Sequence, residues 1–173
     1  FATSFEQVAH RATCLQDPSM KGIPFHMLRA DIAGNISKRF SLSGIEIPRY
    51  GGACPRWNIY SAFTAPGKIH AAVSKMPDGE KYVCIARTVE KGVGRYGKSK
   101  SMLSIGLGCE AKYAKDFVYT ENLNVNDKKT EIPIGVSCRT CDRLDCSQRA
   151  FPPLHKKFDV DINSRGVSVY VSD

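Results

Sequence analysis

The sequence predicts an α+β domain: an antiparallel sheet of four to six strands with two or three helices on one face, carrying a cysteine-rich metal knuckle. Three observations carry this prediction. Several stretches alternate apolar and polar residues with a period of two and are separated by turn residues. A helical stripe opens the chain. Three cysteines stand within nine residues, Cys138, Cys141 and Cys146.

Ser4 is placed to cap a helix in which Phe5, Val8, Ala9, Ala12 and Leu15 share a face, ending at Asp17-Pro18. From Pro24 the period changes: Phe25, Met27 and Arg29 alternate with His26, Leu28 and Ala30. Ala33-Gly34-Asn35 then turns the chain into a second strand over 36–42, completing a hairpin. Residues 48–52 read as a loop. Pro55 suits a first helical position, so 56–63 is predicted as a short helix stopped by Pro66-Gly67. Met76-Pro77-Asp78-Gly79 is the clearest turn, flanked by strands over 68–74 and 81–89. A further strand covers 101–107, and a helix is predicted over 109–119 with Ala111, Ala114 and Val118 on one stripe. A polar loop over 122–130 leads to an apolar stretch at 132–136 and then to the cysteines. The tail from Phe158 alternates again, broken at 163–166, as a hairpin or an arm across a partner.

The 173 residues suit one core, with 42% apolar residues to fill it. Three segments are expected: 1–18 as a helix left from a preceding region, 19–156 as a metal-stapled effector-sensing domain, and 157–173 as a C-terminal tail or interface arm. The start at Phe1 without methionine suggests a fragment. No apolar run approaches the roughly 20 residues needed to cross a bilayer, and no secretory leader is present, which points to a cytoplasmic protein without membrane partners. A formal net charge of +8 favours anionic partners without choosing among them.

Seven cysteines are an odd number for a disulfide framework, and the chain is long for one. A C-x2-C pair with a third cysteine five residues on lets thiolates converge on a metal, and a fourth ligand must come from elsewhere. Cys109 is the favoured fourth ligand, read as exposed at a helix start where the dipole stabilises a thiolate. Cys54, in Gly51-Gly52-Ala53-Cys54-Pro55, is the alternative, and His155 is third. Zinc is the expected metal, with an iron-sulfur cluster as the alternative. Arg139, Arg143 and Arg149 would favour thiolates. Cys84 and Cys14 read as inert, and His10, His26 and His70 as surface or hydrogen-bonded residues.

Gly92-Val93-Gly94-Arg95-Tyr96-Gly97-Lys98-Ser99 matches the phosphate-loop pattern G-x-x-x-x-G-K-[ST]. The following residues, with two glycines and strand-like alternation, cannot supply the helix such a loop requires. A basic hairpin loop able to meet an anion is the better reading. A zinc hydrolase would need an open coordination position and an acid, for which Glu110 beside Cys109 is the one candidate; four cysteine ligands leave no opening. The chain is therefore not expected to be an enzyme.

Ser4-Phe5-Glu6-Gln7-Val8-Ala9-His10-Arg11, Gly51-Gly52-Ala53-Cys54-Pro55-Arg56-Trp57-Asn58, Ile85-Ala86-Arg87-Thr88, Gly106-Leu107-Gly108-Cys109-Glu110, and the run from Cys138 through Pro153 together resemble the C-terminal region of bacterial short-chain fatty acyl-CoA regulators. The resemblance spans almost the whole chain. In that family an XRE-type helix-turn-helix and a metallopeptidase-like region precede a domain of this kind. The resemblance implies a dimeric transcription regulator of propionate-, acetate- or methylcitrate-type metabolism whose C-terminal domain senses a short-chain acyl-CoA. This chain has neither a recognisable helix-turn-helix nor H-E-x-x-H, so DNA would be read by a domain absent from it. The expected architecture is sensor-like and GAF-like. An acyl-CoA needs basic groups, a stacking face and an apolar wall. Arg39, Phe40, Arg56, Trp57 and Tyr60 are the candidates, with Arg95 and Lys98 for phosphates. Residues 167–171 are a candidate dimer strand. The rival binding reading is a zinc-stapled module that holds nucleic acid or protein on its basic surface.

Overall fold

The structure, a computed structural model, describes residues 2–92, 96–97, 100–155, 163 and 170. Helix α1 (Phe5–Thr13) begins at a reciprocal capping box: the Gln7 amide donates to Ser4 Oγ at 3.3 Å, and the Ser4 amide donates to Gln7 Oε1 at 2.8 Å. It ends earlier than the apolar stripe predicts. Beyond it, Asp17 Oδ1 accepts from the Ser19 amide and hydroxyl at 2.8 and 2.5 Å, which locks a turn between the two-residue strands β1 (Gln16–Asp17) and β2 (Met20–Lys21). Val8 and Leu15 are consequently exposed, and the helix buries Glu6, Ala9 and Thr13 instead.

Strands β3 (His26–Asp31) and β4 (Ile36–Ser41) form the expected hairpin. Its turn is held by Asp31, whose carboxylate accepts from the Asn35 amide and side chain, both at 2.9 Å, while Gly34 takes a left-handed φ of 88°. Helix α2 (Asn58–Ser61) starts later than Pro55 suggests and continues as a 3-10 turn over Ala62–Thr64. Its position is set by Trp57, whose indole donates to the Gly135 carbonyl at 2.8 Å, and by Asn58, whose amide donates to the Cys84 carbonyl at 2.9 Å. Strands β5 (His70–Lys75), β6 (Lys81–Lys91), β7 (Ser101–Glu110) and β8 (Glu131–Pro133) complete the main sheet.

The sheet order is β4-β3-β7-β6-β5-β8. The first five strands are antiparallel, but β8 runs parallel to β5, so the sheet is mixed rather than wholly antiparallel. The predicted helix at 109–119 is also corrected. β7 continues through Cys109, paired with Val83, and Glu110, paired with Tyr82, and only 3-10 turns follow at Ala111–Asp116 and Val118–Thr120. The eleven-residue β6 supplies pairing partners along all of β7, and that ladder overrides the helical stripe.

Both faces of the sheet are covered, where one was expected. Tyr82, Cys84 and Ala86 point to a core with Trp57, Ile59 and Ile134; Val83 and Ile85 point to the opposite core, with Ala9, Ile105, Cys109 and Phe117. The residues flanking α2 and the cysteine loop belong to the first face, and α1 and the 3-10 turns to the second.

Candidate metal centre

Four cysteines line one small cavity on the α2 face of the sheet: Cys54, Cys138, Cys141 and Cys146. Two chain segments bring them together. The Cys54 amide donates to the Val136 carbonyl at 3.0 Å, stitching the loop before α2 to the segment between β8 and the cysteine loop. Gly135 then permits close contact, since a Cβ there would stand 3.1 Å from Cys141 Sγ. Cys138 begins a 3-10 turn over Cys138–Thr140, and the Cys141 amide returns to the Cys138 carbonyl at 3.4 Å.

Backbone donors are directed at the sulfurs. The Ala150 amide donates to Cys138 Sγ at 3.3 Å, and the backbone amides of Arg56 and Gly135 face the Cys54 sulfur. Burial raises the Cys54 pKa above the ordinary thiol value; those amide bonds oppose it, and the charges of Cys138 and Cys146 add to the rise. Arg149 is buried and fixes the loop, donating to the carbonyls of Cys138 (2.9 Å), Cys141 (3.1 Å), Phe151 (3.3 Å) and Arg143. Arg143 also lines the cavity, and its buried Nε has no hydrogen-bond partner among the described residues.

This donor set fits a thiolate-bound metal group on chemical grounds. Four sulfurs, amide donors aimed at two of them and a buried guanidinium nitrogen without a partner suit an anionic cluster of ligands. The cavity volume is about 10 Å³, room for one atom-sized occupant. Among the described residues, however, no three His, Cys, Asp or Glu side chains are arranged as a finished metal-ion site.

Cys109, the favoured fourth ligand from sequence, lies elsewhere. It is fully buried in the opposite core, where desolvation, then Glu110 and Asp116, push its thiol up to about 12. The signal that places it there is the alternation Leu103, Ile105, Leu107, Cys109, which runs straight through the supposed helix start. His155 is not among the residues lining that cavity; its Nε2 lies 2.7 Å from Asp142 Oδ1. Glu110, the candidate acid, neighbours Cys109 on β7 and pairs with Lys112 at 2.5 Å.

Among the described residues, the predicted effector residues have separate surroundings. Trp57 is a core anchor, 4% exposed. Tyr60 donates to the Gly34 carbonyl at 3.3 Å, Arg39 donates to the Pro48 carbonyl at 2.8 Å, and Phe40 lies half-exposed on edge strand β4. Arg56 lines the cysteine cavity. Arg95, Lys98 and residues 167–169 and 171 of the candidate dimer strand lie outside the described residues. Cys84 and His26 are buried as a pair inside the sheet, with 3.5 Å between Sγ and Nε2, while His26 Nδ1 lies 2.7 Å from Ser43 Oγ. No helix among the described residues is long and apolar enough to cross a membrane.

Comparison with known proteins adds a family. Residues 14–170 match the family description "Short-chain fatty acyl coenzyme A regulator, C-terminal". The chain is 46% identical to the HTH-type transcriptional regulator RamB of Mycobacterium tuberculosis H37Rv, covering 99% of this chain and 36% of that protein. It is 45% identical to the propionyl-CoA carboxylase regulator of Cereibacter sphaeroides, covering 98% and 36%. A solved Mycobacterium tuberculosis transcriptional regulator superposes with a TM-score of 0.86 at 41% identity, covering 95% of this chain and 50% of that one. The chain thus spans about a third of the length of the curated relatives it matches.

Proposed function

The chain belongs to the short-chain fatty acyl coenzyme A regulators, as their C-terminal domain, and from that premise we propose that it is the effector-sensing part of a transcriptional regulator of short-chain acyl-CoA metabolism, built around a cysteine-bound metal. The observation that carries the metal reading is the convergence of Cys54 with Cys138, Cys141 and Cys146 on one cavity. These four would hold the metal, with Cys54 in the place that sequence reasoning gave to Cys109. A bound zinc would cross-link the loop before α2 to the cysteine loop and add folding free energy there. The sheet, with five antiparallel strands covered on both faces, supports the sensor-like, GAF-like reading.

Zinc is favoured by the atom-sized cavity. An iron-sulfur cluster, also a four-cysteine ligand set, is the second reading, supported by the amide donor on the Cys138 sulfur, since such bonds tune these clusters. The Arg143 guanidinium would balance the thiolate charge in either case. DNA would be read by another part of the protein, in the cytoplasm and through paired subunits, as suits regulators that bind two half-sites. No enzymatic role is assigned to this domain.

The test is metal analysis of the anaerobically purified chain together with its absorption spectrum. One zinc per chain without visible absorption supports the structural staple. Iron with acid-labile sulfide and visible absorption supports the cluster. A metal-free protein with four titratable thiols at this cavity would overturn the metal reading.

A further inference from the structure

Tyr82 on β6 is 5% exposed, yet no group among the described residues forms a hydrogen bond with its hydroxyl. The residue lines a cleft of about 330 Å³ on the α2 face of the sheet, between residues 44–46, the turn that joins β5 to β6, and residues 140–142. Three carboxylates stand around this space, from Glu46, Asp78 and Asp142, and no lysine or arginine lines it. In a chain with a formal net charge of +8, a cleft of one negative sign runs against the field of the whole molecule. Met76 and Val136 supply its apolar wall.

The carboxylates keep capacity for further donors. Asp78 Oδ1 accepts from the Glu80 amide at 3.0 Å, which holds the turn, and Asp142 Oδ1 lies 2.7 Å from His155 Nε2. An ionised carboxylate offers about four acceptor sites, so one such bond leaves others open. Glu46 and Asp78 have no ion-pair partner among the described residues. Burial, then the charges of Asp78, Glu80 and Glu110, push the Tyr82 phenol up to about 12, so it stays a neutral hydroxyl that can accept a hydrogen bond. The three acids do not form a finished metal-ion site, since the described residues contain no such group of three. A cation that suits them must present donors at separate points. A guanidinium on an aliphatic stem has that form: a flat fork of N–H donors for carboxylate and hydroxyl oxygens, and methylenes for the apolar wall. The volume lies near the lower end for small-ligand sites, at about 300 Å³, and admits one such group.

We propose that this cleft binds a guanidinium group carried on an aliphatic stem, as in an arginine side chain or a free alkylguanidine, with Glu46 and Asp78 as its charge partners and the Tyr82 hydroxyl as the buried acceptor that orients it. Cys141 borders both this cleft and the cysteine cavity, but the cation would meet oxygen groups on the side away from the other three cysteines, none of which lines the cleft. The site requires neither the metal nor the effector reading.

The test is calorimetric titration of the anaerobically purified chain with agmatine, with a blocked glycine-arginine-glycine tripeptide, and with the same tripeptide carrying citrulline, which keeps the shape of arginine and loses its charge. The variants are Tyr82→Phe, the double variant Glu46→Gln with Asp78→Asn and, as a control on a remote exposed carboxylate, Glu121→Gln. At least one guanidinium probe should bind the parent chain, and the citrulline tripeptide should not. The double variant should weaken binding about tenfold and Tyr82→Phe about threefold, with metal content unchanged and, for the double variant, an unchanged thermal midpoint. Glu121→Gln should bind as the parent does. Tighter binding of agmatine would support the site as one for a free ligand, and tighter binding of the arginine tripeptide as one for a polypeptide side chain. Absence of binding by both guanidinium probes overturns the proposal. So does equal binding by the parent and the double variant, or binding of the citrulline tripeptide as tight as that of its arginine counterpart.

Discussion

Cys54 and Cys109 are the two residues on which the metal assignment turns, and they separate cleanly by experiment. Cys54→Ala should lower bound metal to well under half an equivalent, as Cys138→Ala should, because each removes one of four sulfurs at the cavity. Cys109→Ala should keep its metal and lose about 1 kcal/mol, the cost of a small void in the opposite core. Elemental analysis and denaturant unfolding of the three variants check this, and metal loss confined to Cys109→Ala would reverse the assignment. Gly108 is a second decisive position. A Cβ there would stand 2.6 Å from the His26 ring and 2.7 Å from Cys84 Sγ, inside the sheet where neither can withdraw. Gly108→Ala should therefore destabilise the fold by about 1–3 kcal/mol in urea unfolding.

Helix α1 is joined to the sheet by one buried carboxylate. Glu6 accepts from Arg29 at 2.9 Å and Lys38 at 3.1 Å, and pairs with Lys91, linking the helix to β3, β4 and β6. Burial works to raise its pKa, but the bonds from Lys91 and Lys38 and the charge of Arg29 outweigh it and hold the carboxyl at about 2. A folded pKa below the ordinary 4.5 means that this contribution is complete above about pH 4.5 and is lost as pH falls toward 2. Glu6→Gln should cost about 2 kcal/mol at pH 7, less than a fully buried pair because the lysines reach solvent, and should flatten the stability profile in that window. Urea midpoints at several pH values provide the check. The cysteine loop depends in the same way on Arg149. Replacing it with Met should leave loop carbonyls without donors and cost about 3 kcal/mol together with metal retention.

For the whole molecule, acid should act in two stages. His26 is fully buried, and desolvation lowers its pKa to about 3. The unfolded chain takes up that proton near 6.5 while the folded chain does not, so stability is complete above about 6.5 and declines as pH falls toward 3, by at most about 1.4 kcal/mol per pH unit. The Glu6 contribution begins to fall only below about 4.5. His26→Gln should therefore remove the pH dependence between 6.5 and 4.5 and leave the lower stage in place. An unchanged slope in that interval would locate the titrating group elsewhere.

Much of this protein was legible from residues close together in the chain. The helix cap at Ser4, the turn at Gly34, the hairpin around Pro77-Asp78-Gly79 and the three clustered cysteines are local patterns, and each is decided by groups within a few residues of one another. The family was equally legible, because its motifs are contiguous. The tertiary structure decided what depends on partners far along the chain. β7 runs through Cys109 because β6 offers a ladder there, and α1 buries Glu6 and Ala9 because they seat on a sheet formed later in sequence. Trp57 is spent on packing and not on a ligand, since Gly135, 78 residues away, accepts its indole proton. Which cysteine joins Cys138, Cys141 and Cys146 at the cavity was hidden from the sequence for the same reason. Cys54 and Cys109 both follow glycine-rich segments, and what separates them is which face of the sheet each reaches, a property of strand register that spacing in the sequence does not contain.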